Sequence, residues 1–244
     1  MIDLHTHLLP GIDDGAESVI EAGLMAKTLY HQNVSKVVCT PHFDPTKTSL
    51  YDFIDLRSRS IEMLIGIEIE LVLGSETILH DYLFHYPDIS ELCIENTRYL
   101  LIELPHGFKW SEKAYDTLAN LISYYDIVPV IAHIERYHKR KSRSRHINKL
   151  RRMGCVIQLN TTSIIDDKSR KQALHYIKKG YIDVLGSDCH NMLSRPPIFS
   201  EALDIINKKI GEQYCSEFMN NAERLIEGRE LKEKKAYILP DNLL

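Results

Sequence analysis

At 244 residues the chain is long enough to bury a large core and has the length of one α/β barrel. A formal net charge of -4 gives no global case for binding nucleic acid or an anionic membrane. Five cysteines without CxxC spacing favour reduced thiols over a disulfide framework, and no apolar run reaches membrane-spanning length. With no basic, apolar leader either, the expectation is a cytoplasmic protein without membrane insertion.

The first stretch, MIDLHTHLLPGIDDG, reads as a short strand with Ile2 and Leu4 buried and His5 and His7 at its end. Side chains two apart on a strand share a face, so both imidazoles can meet one ion. A Pro10-Gly11 turn and the adjacent carboxylates Asp13 and Asp14 precede a helix over 16–32, with Val19, Ala22, Ala26 and Leu29 on one stripe. The β-branched run 36–40 ends in Pro41-His42, a helix is expected over 49–64, and the run 67–73 closes on Gly74-Ser75-Glu76. A helical or irregular stretch over 77–96 leads to a strand over 99–102 that delivers Glu103. His106 reads as an ordinary loop residue, and Ser111 as the cap of a helix over 111–124.

The strand 127–132 delivers His133, and a basic helix over 138–153 precedes the strand 155–159, which ends at Asn160. A helix over 169–179 and a strand over 182–186 lead to Ser187-Asp188-Cys189-His190. The rest is helical to Glu227, followed by a charged, loose tail over 228–244; no linker or repeat marks a second domain. Apolar runs alternating with helices imply βα units and parallel strands, which close into a barrel or stay open as a doubly wound sheet.

All seven runs end in a polar group able to bind a cation or an anion: His5 and His7, His42, Glu76, Glu103, His133, Asn160, then Asp188 and His190. Ligands of barrels and open α/β sheets bind at the carboxyl ends of the strands. A single histidine there is usually a packed or capping residue; the joint pattern is what points to a metal site.

The motifs HxH, IDDG, TPH, GSE, LLIELP, IAHIERY and GSDCHN…RPP together resemble the PHP (polymerase and histidinol phosphatase) superfamily. More closely, they resemble its manganese-dependent protein-tyrosine phosphatases from bacterial capsule and exopolysaccharide clusters. The resemblance runs over about residues 1–225, with IAHIERY and the SDxHN…RPP segment its most specific parts. It implies a distorted (β/α)7 TIM-like barrel, with 1–227 as one metallophosphatase domain. It further implies three divalent ions, manganese first, with iron or zinc as alternatives. His5, His7, Glu76 and Asp188 would hold one ion; Glu76 would bridge to a second held with Glu103 and His133; Asp14, His42 and His190 would hold the third. Asp13 is given a supporting or helix-capping role. Mixed N/O ligation without thiolates suits such ions. Cys189 departs from the family pattern, and strand alternation points it away from the metals.

The implied activity is hydrolysis of phosphotyrosine by a metal-bridging hydroxide, since a bound ion lowers the pKa of water from about 15.7 to about 7. The implied partner is a phosphotyrosine-bearing protein, such as the tail of a bacterial tyrosine kinase that controls polysaccharide export; homo-oligomerisation is compatible with this. Arg136 and Arg195 fall on rim loops and suit the phosphate oxygens, because a guanidinium fork matches them bidentately. His42 is a candidate acid for the leaving phenolate if its role as ligand leaves it free.

Rival readings share parts of the same sequence. Cys189 to Arg195 matches the C-x5-R spacing of cysteine phosphatases, but without the glycines that let backbone N–H groups wrap a phosphate. The stretch 136–152 holds nine Lys/Arg and no acid, and it reads as a solvated helix face, or as a surface steering an acidic peptide, before it reads as a nucleic-acid site. A PHP module kept only for binding would have lost ligands. Histidinol phosphate, or another small phosphomonoester, is the nearest enzymatic rival.

Overall fold

The protein is described here from a computed structural model covering residues 1–105, 107–137 and 143–231. His106, part of the basic stretch (138–142) and most of the charged tail (232–244) lie outside the described residues. The described residues form nine strands: β1 (Ile2–Thr6), β2 (Lys36–Cys39), β3 (His42–Phe43), β4 (Glu70–Leu73), β5 (Glu76–Ile78), β6 (Tyr99–Glu103), β7 (Val128–Ile131), β8 (Val156–Asn160) and β9 (Val184–Gly186). All their pairings are parallel, in the orders β1-β2-β4 and β3-β5-β6-β7-β8-β9.

Nine strands and seven apolar runs are the same architecture. Only Thr40-Pro41 separates β2 from β3, and only Gly74-Ser75 separates β4 from β5. Proline has no N–H for the ladder, so it breaks a strand without redirecting it. The pairing resumes at once, with the Glu76 N–H donating to the Pro41 carbonyl at 3.0 Å. The sheet curls until its last strand returns to its first: the Asp188 N–H donates to the His5 carbonyl at 2.8 Å, and the His7 N–H to the Cys189 carbonyl at 2.9 Å. The result is the distorted seven-stranded barrel that the resemblance implied.

Helices flank the sheet: α1 (Val19–His31), α2 (Leu50–Glu62), α3 (Glu112–Tyr125), α4 (Arg143–Arg152), α5 (Thr162–Ile165), α6 (Asp167–Lys178), α7 (Ser200–Ile210) and α8 (Glu212–Ile226). Ser18, Ser49, Ser111 and Asp166 cap α1, α2, α3 and α6, each accepting a backbone N–H three residues on. The stretch after β5 forms two short 3-10 turns, Asp81–His85 and Ser90–Leu92. Two expectations shift in the first half of the chain, and in the second half the helix expected to follow His190 begins only at Ser200. The strand predicted over 67–73 begins at Glu70, and Val19, placed on the buried stripe of α1, is 43 % exposed while Met25 takes its place. As the first residue of α1, Val19 precedes the turn over which the helix packs.

Period two along the strands builds two cores. Leu100, Ile102, Ile131, Ile157 and Leu185 pack with the helices. Tyr99, Leu101, Val130, Val156 and Val184 face the other way, joined by Ala222 and Leu225 of α8. Each fully buried aliphatic side chain contributes about 1.5–3 kcal/mol. The second face changes character towards the carboxyl ends: Val156 is followed by Gln158 and Asn160, and Tyr99 and Leu101 by Glu103. Apolar below and polar above, that face supports the candidate site.

Candidate metal centre

Nine side chains from the carboxyl rim converge. A register irregularity between Asp3 and Thr6 breaks strict alternation in β1. Leu4 thereby joins the inner apolar cluster while His5 and His7 still turn together into the site. His133 and Asp188, just past β7 and β9, have positive φ of 28° and 55°, a conformation that non-glycine residues adopt where a backbone must re-aim a side chain. Two glycines permit close approach. A Cβ on Gly15 would stand 2.2 Å from the His7 carbonyl oxygen, and one on Gly186 would stand 2.5 Å from the His5 Cβ.

His5 Nε2 and His7 Nε2 lie 3.1 Å apart, with Glu76 Oε2 at 3.1 and 3.2 Å from them and Asp188 Oδ1 at 3.4 Å from each. Donors bound to one ion at about 2.0–2.1 Å stand about 3.3 Å apart along a tetrahedral edge, so this spacing fits a common ion. The other Glu76 oxygen, Oε1, is 2.6 Å from His133 Nε2, which is 3.6 Å from Glu103 Oε1. The central carboxylate therefore faces two donor groups at once. His42 enters twice, with Nδ1 at 3.2 Å from Glu76 and 3.5 Å from Glu103, and Nε2 at 3.4 Å from Asp14. His190 Nε2 is 3.5 Å from the same Asp14 oxygen. Three groups able to hold an ion result: His5, His7, Glu76 and Asp188; His42, Glu76 and Glu103; and His7, Asp14, His42 and His190. His42 thus stands with Glu76 and Glu103, where the resemblance had implied only His133, and His7 borders two groups.

Three buried donor atoms within these groups, His42 Nδ1, His190 Nε2 and Asp188 Oδ1, have no hydrogen-bond partner among the described residues. Leaving such atoms unpaired is costly unless a ligand satisfies them. All five cysteines are buried and none belongs to the three groups, so the donor set is imidazole and carboxylate, which suits manganese, iron or zinc.

The imidazoles are anchored through their other nitrogens. Asp13 Oδ2 lies 2.6 Å from His7 Nδ1, the His190 Nδ1–H donates to the Asp188 carbonyl at 3.0 Å, and Gln158 Oε1 is 3.5 Å from His5 Nδ1. Gln158 Oε1 also accepts the His133 N–H at 2.5 Å, and its amide donates to Asn160 Oδ1, whose own amide donates to Asp188 at 2.7 Å. Such partners fix ring orientation and ligand basicity. Of these, Gln158 was not visible as a site residue in the sequence. Tyr137 was missed too; it lies four residues past His133, at the end of a 3-10 turn, and its hydroxyl reaches His133 Nδ1 at 3.0 Å.

Charge crowding is marked. Burial, then repulsion from Glu76, pushes the Glu103 carboxyl up to about 7. Burial drives His190 down to about 3 and also lowers His42 and His133, which favours the neutral rings that a cation needs. Burial opposes charge on His5 and His7 as well, but the surrounding carboxylates outweigh it and raise both.

Arg136 and Arg195 both reach Asp188 Oδ2, Arg195 at 2.7 Å, with side chains 43 % and 33 % exposed. Two guanidinium groups thus border the cluster while remaining open to solvent. Cys189 lies in the apolar core, and burial pushes its thiol far up, which removes the thiolate that a C-x5-R nucleophile requires. In α4, Lys149 pairs with Glu112 and Arg151 with Asp183, so part of the basic stretch is already neutralised. No helix among the described residues is long and apolar enough to cross a membrane.

Comparison with known proteins agrees with this geometry. The model of a family described as capsular polysaccharide synthesis, CpsB/CapC, matches residues 1–227. Tyrosine-protein phosphatase CpsB of Streptococcus pneumoniae is 29 % identical over 241 residues, covering 93 % of this chain and 98 % of its own. Tyrosine-protein phosphatase YwqE of Bacillus subtilis is 26 % identical, covering 95 % and 93 %. Among solved structures, work on YwqE and CpsB as metal-dependent tyrosine phosphatases provides a match with TM-score 0.79 and 25 % identity, over 96 % of this chain and 97 % of that one. Organophosphorus hydrolase from Deinococcus radiodurans, at TM-score 0.53 and 13 % identity over 92 % of each chain, shares the fold alone.

Proposed function

The chain belongs to the CpsB/CapC family of capsular polysaccharide synthesis, and we propose that it is a metal-dependent phosphatase that hydrolyses phosphotyrosine. Residues 1–227 form the catalytic unit in this reading, working in the cytoplasm on a phosphotyrosine-bearing protein. The tail of a bacterial tyrosine kinase that controls capsule synthesis is the preferred target. The observation that carries the proposal is the convergence of His5 and His7, 3.1 Å apart, with Glu76 and Asp188 each within 3.4 Å of both, beside two solvent-open arginines.

Three divalent cations, manganese first, are assigned to the site. His5, His7, Glu76 and Asp188 would hold one; Glu76, Glu103 and His133 would hold a second, with His42 at its edge; Asp14, His42 and His190 would hold the third. Bound cations supply an acidified water and charge that offsets the phosphate oxygens. The protein's own groups do the rest. Arg136 and Arg195 present their forks at the rim, so an entering phosphate exchanges with Asp188 for them and is held in one orientation. Asp13, Gln158 and Asn160 keep the ligands from turning away. Burial keeps His42 uncharged near neutrality, which suits a ligand better than a proton donor. A phenolate, with a pKa of about 10, leaves without strong acid help.

The test is turnover of a phosphotyrosine peptide against histidinol phosphate, with manganese added and then chelated. Preferred turnover of the peptide, lost on chelation and restored by manganese, is the expected result. Preference for histidinol phosphate would transfer the reading to small phosphomonoesters, and fewer than two ions per chain with no turnover would leave a binding module.

A further inference from the structure

Beneath the candidate ligands, Tyr137 touches one of them, His133, and the main chain next to another, Glu103, through one oxygen. Its hydroxyl lies 3.0 Å from His133 Nδ1 and accepts the Leu104 N–H at 3.1 Å, directly after Glu103. Its own carbonyl accepts the indole N–H of Trp110 at 3.0 Å, and its ring meets Phe108 edge to face. The phenol is therefore fixed from both ends, between the two rim residues that flank Glu76 on the same side.

Resting on the assignment of Glu103 and His133 to one cation, we propose that Tyr137 is a positioning residue that selects the ligating tautomer of His133 and sets Glu103 in register with it. A neutral imidazole carries one proton. When Nε2 donates its lone pair to a cation, that proton sits on Nδ1, and among the described residues Tyr137 Oη is the group placed to receive it. Oη has two lone pairs, one already filled by the Leu104 N–H, so the second is free to accept the Nδ1–H. Without a cation the same pair reverses: Nε2–H donates to Glu76 Oε1 at 2.6 Å, and the phenol O–H donates to Nδ1. A hydroxyl serves both states, whereas the carboxylate that anchors His7 can only accept. The main-chain bond to Leu104 ties the end of β6 to the same oxygen, so a shift of one ligand moves the other.

Tyr137→Phe keeps the ring and its packing and removes only the oxygen. Manganese affinity and ions per chain are measured by competition with a chelator, alongside melting with and without manganese and with His133→Ala as the reference. The expected result is one class of manganese weakened about 10–100-fold in Tyr137→Phe, the range for loss of an anchoring partner, with kcat recovering as manganese is raised. A purely structural role would lower melting equally with and without manganese and leave affinity unchanged; that outcome, beside a lost ion in His133→Ala, overturns the proposal alone. If His133→Ala also keeps every ion, the ligand assignment falls and the proposal with it. As a check on the unaltered chain, imidazole nitrogen NMR of the zinc-loaded protein should show His133 protonated at Nδ1; protonation at Nε2 would overturn the proposal.

Discussion

Asp13 Oδ2 stands 2.6 Å from His7 Nδ1 and accepts the main-chain N–H of His42 at 2.9 Å. One carboxylate thus orients a candidate ligand on β1 and the backbone of another on β3. Burial works against its charge, yet the bonds from His7, His42 and Gly15 hold its carboxyl well below the ordinary range. It stays ionised and keeps the proton of His7 on Nδ1, leaving Nε2 to a cation. Asp13→Asn retains an acceptor but loses the charge, and a roughly tenfold loss of manganese affinity is expected; Asp13→Ala should cost about a hundredfold. Equal affinity in all three proteins, by chelator competition, would reduce Asp13 to a turn residue.

The arginines should separate from the ligands in their kinetics. Arg136 and Arg195 meet Asp188 from the rim without belonging to any donor group. Arg136→Lys and Arg195→Lys keep the charge but lose the fork, so kcat/KM for an aryl phosphate should fall about 10–100-fold, with bound manganese unchanged. A parallel loss of metal would mean that the arginines act by holding Asp188 in place.

What the sequence made legible was the rim. Apolar runs of strand length ending in His, Glu or Asp locate strand ends whatever the sheet's closure, because such side chains cannot be left unpaired in a core. Features that depend on pairing between distant strands were hidden. The irregularity in β1 that lets Leu4 and His5 both serve their clusters follows from its register with β2. Gln158 reads as one polar residue in an apolar strand until β7 and β9 are set beside it. The resemblance had set Asp14 among the ligands and Asp13 beside them, but the tight turn behind that difference shows only in the contact a Gly15 Cβ would make. Asp14 remains exposed and turns towards His42 and His190, while Asp13 turns back to His7.

Cys189 discriminates between two chemistries. Its thiol is buried against the core, and its main-chain carbonyl closes the sheet by accepting the His7 N–H. Cys189→Ser leaves that main-chain bond in place, and turnover within about twofold of wild type is expected. Burying a hydroxyl in place of the thiol should cost at most about 1–3 kcal/mol, since Ser187 offers it a partner, and is read as a lower melting temperature. An inactive Cys189→Ser protein that folds normally, beside a wild type insensitive to chelators, would return the cysteine mechanism.

Asp3 should give the fold a dependence on pH separate from the cations. It is fully buried under the β1–β9 closure, where Oδ1 accepts the Ser187 N–H at 2.8 Å and the His5 N–H at 3.3 Å, while Oδ2 has no hydrogen-bond partner among the described residues. Burial pushes its carboxyl up to about 6, against the bonds from Ser187 and His5. An unfolded aspartate titrates at about 3.9, so between about 4 and 6 the folded chain binds more protons than the unfolded one. Stability therefore falls as pH rises through that window, by about 3 kcal/mol at most, and levels off above it. Asp3→Asn accepts the same two N–H bonds without a charge. In urea unfolding with chelator present, the stability of Asp3→Asn relative to wild type should climb from pH 4 to pH 7. Parallel curves would mean that Asp3 carries no buried charge in the folded protein.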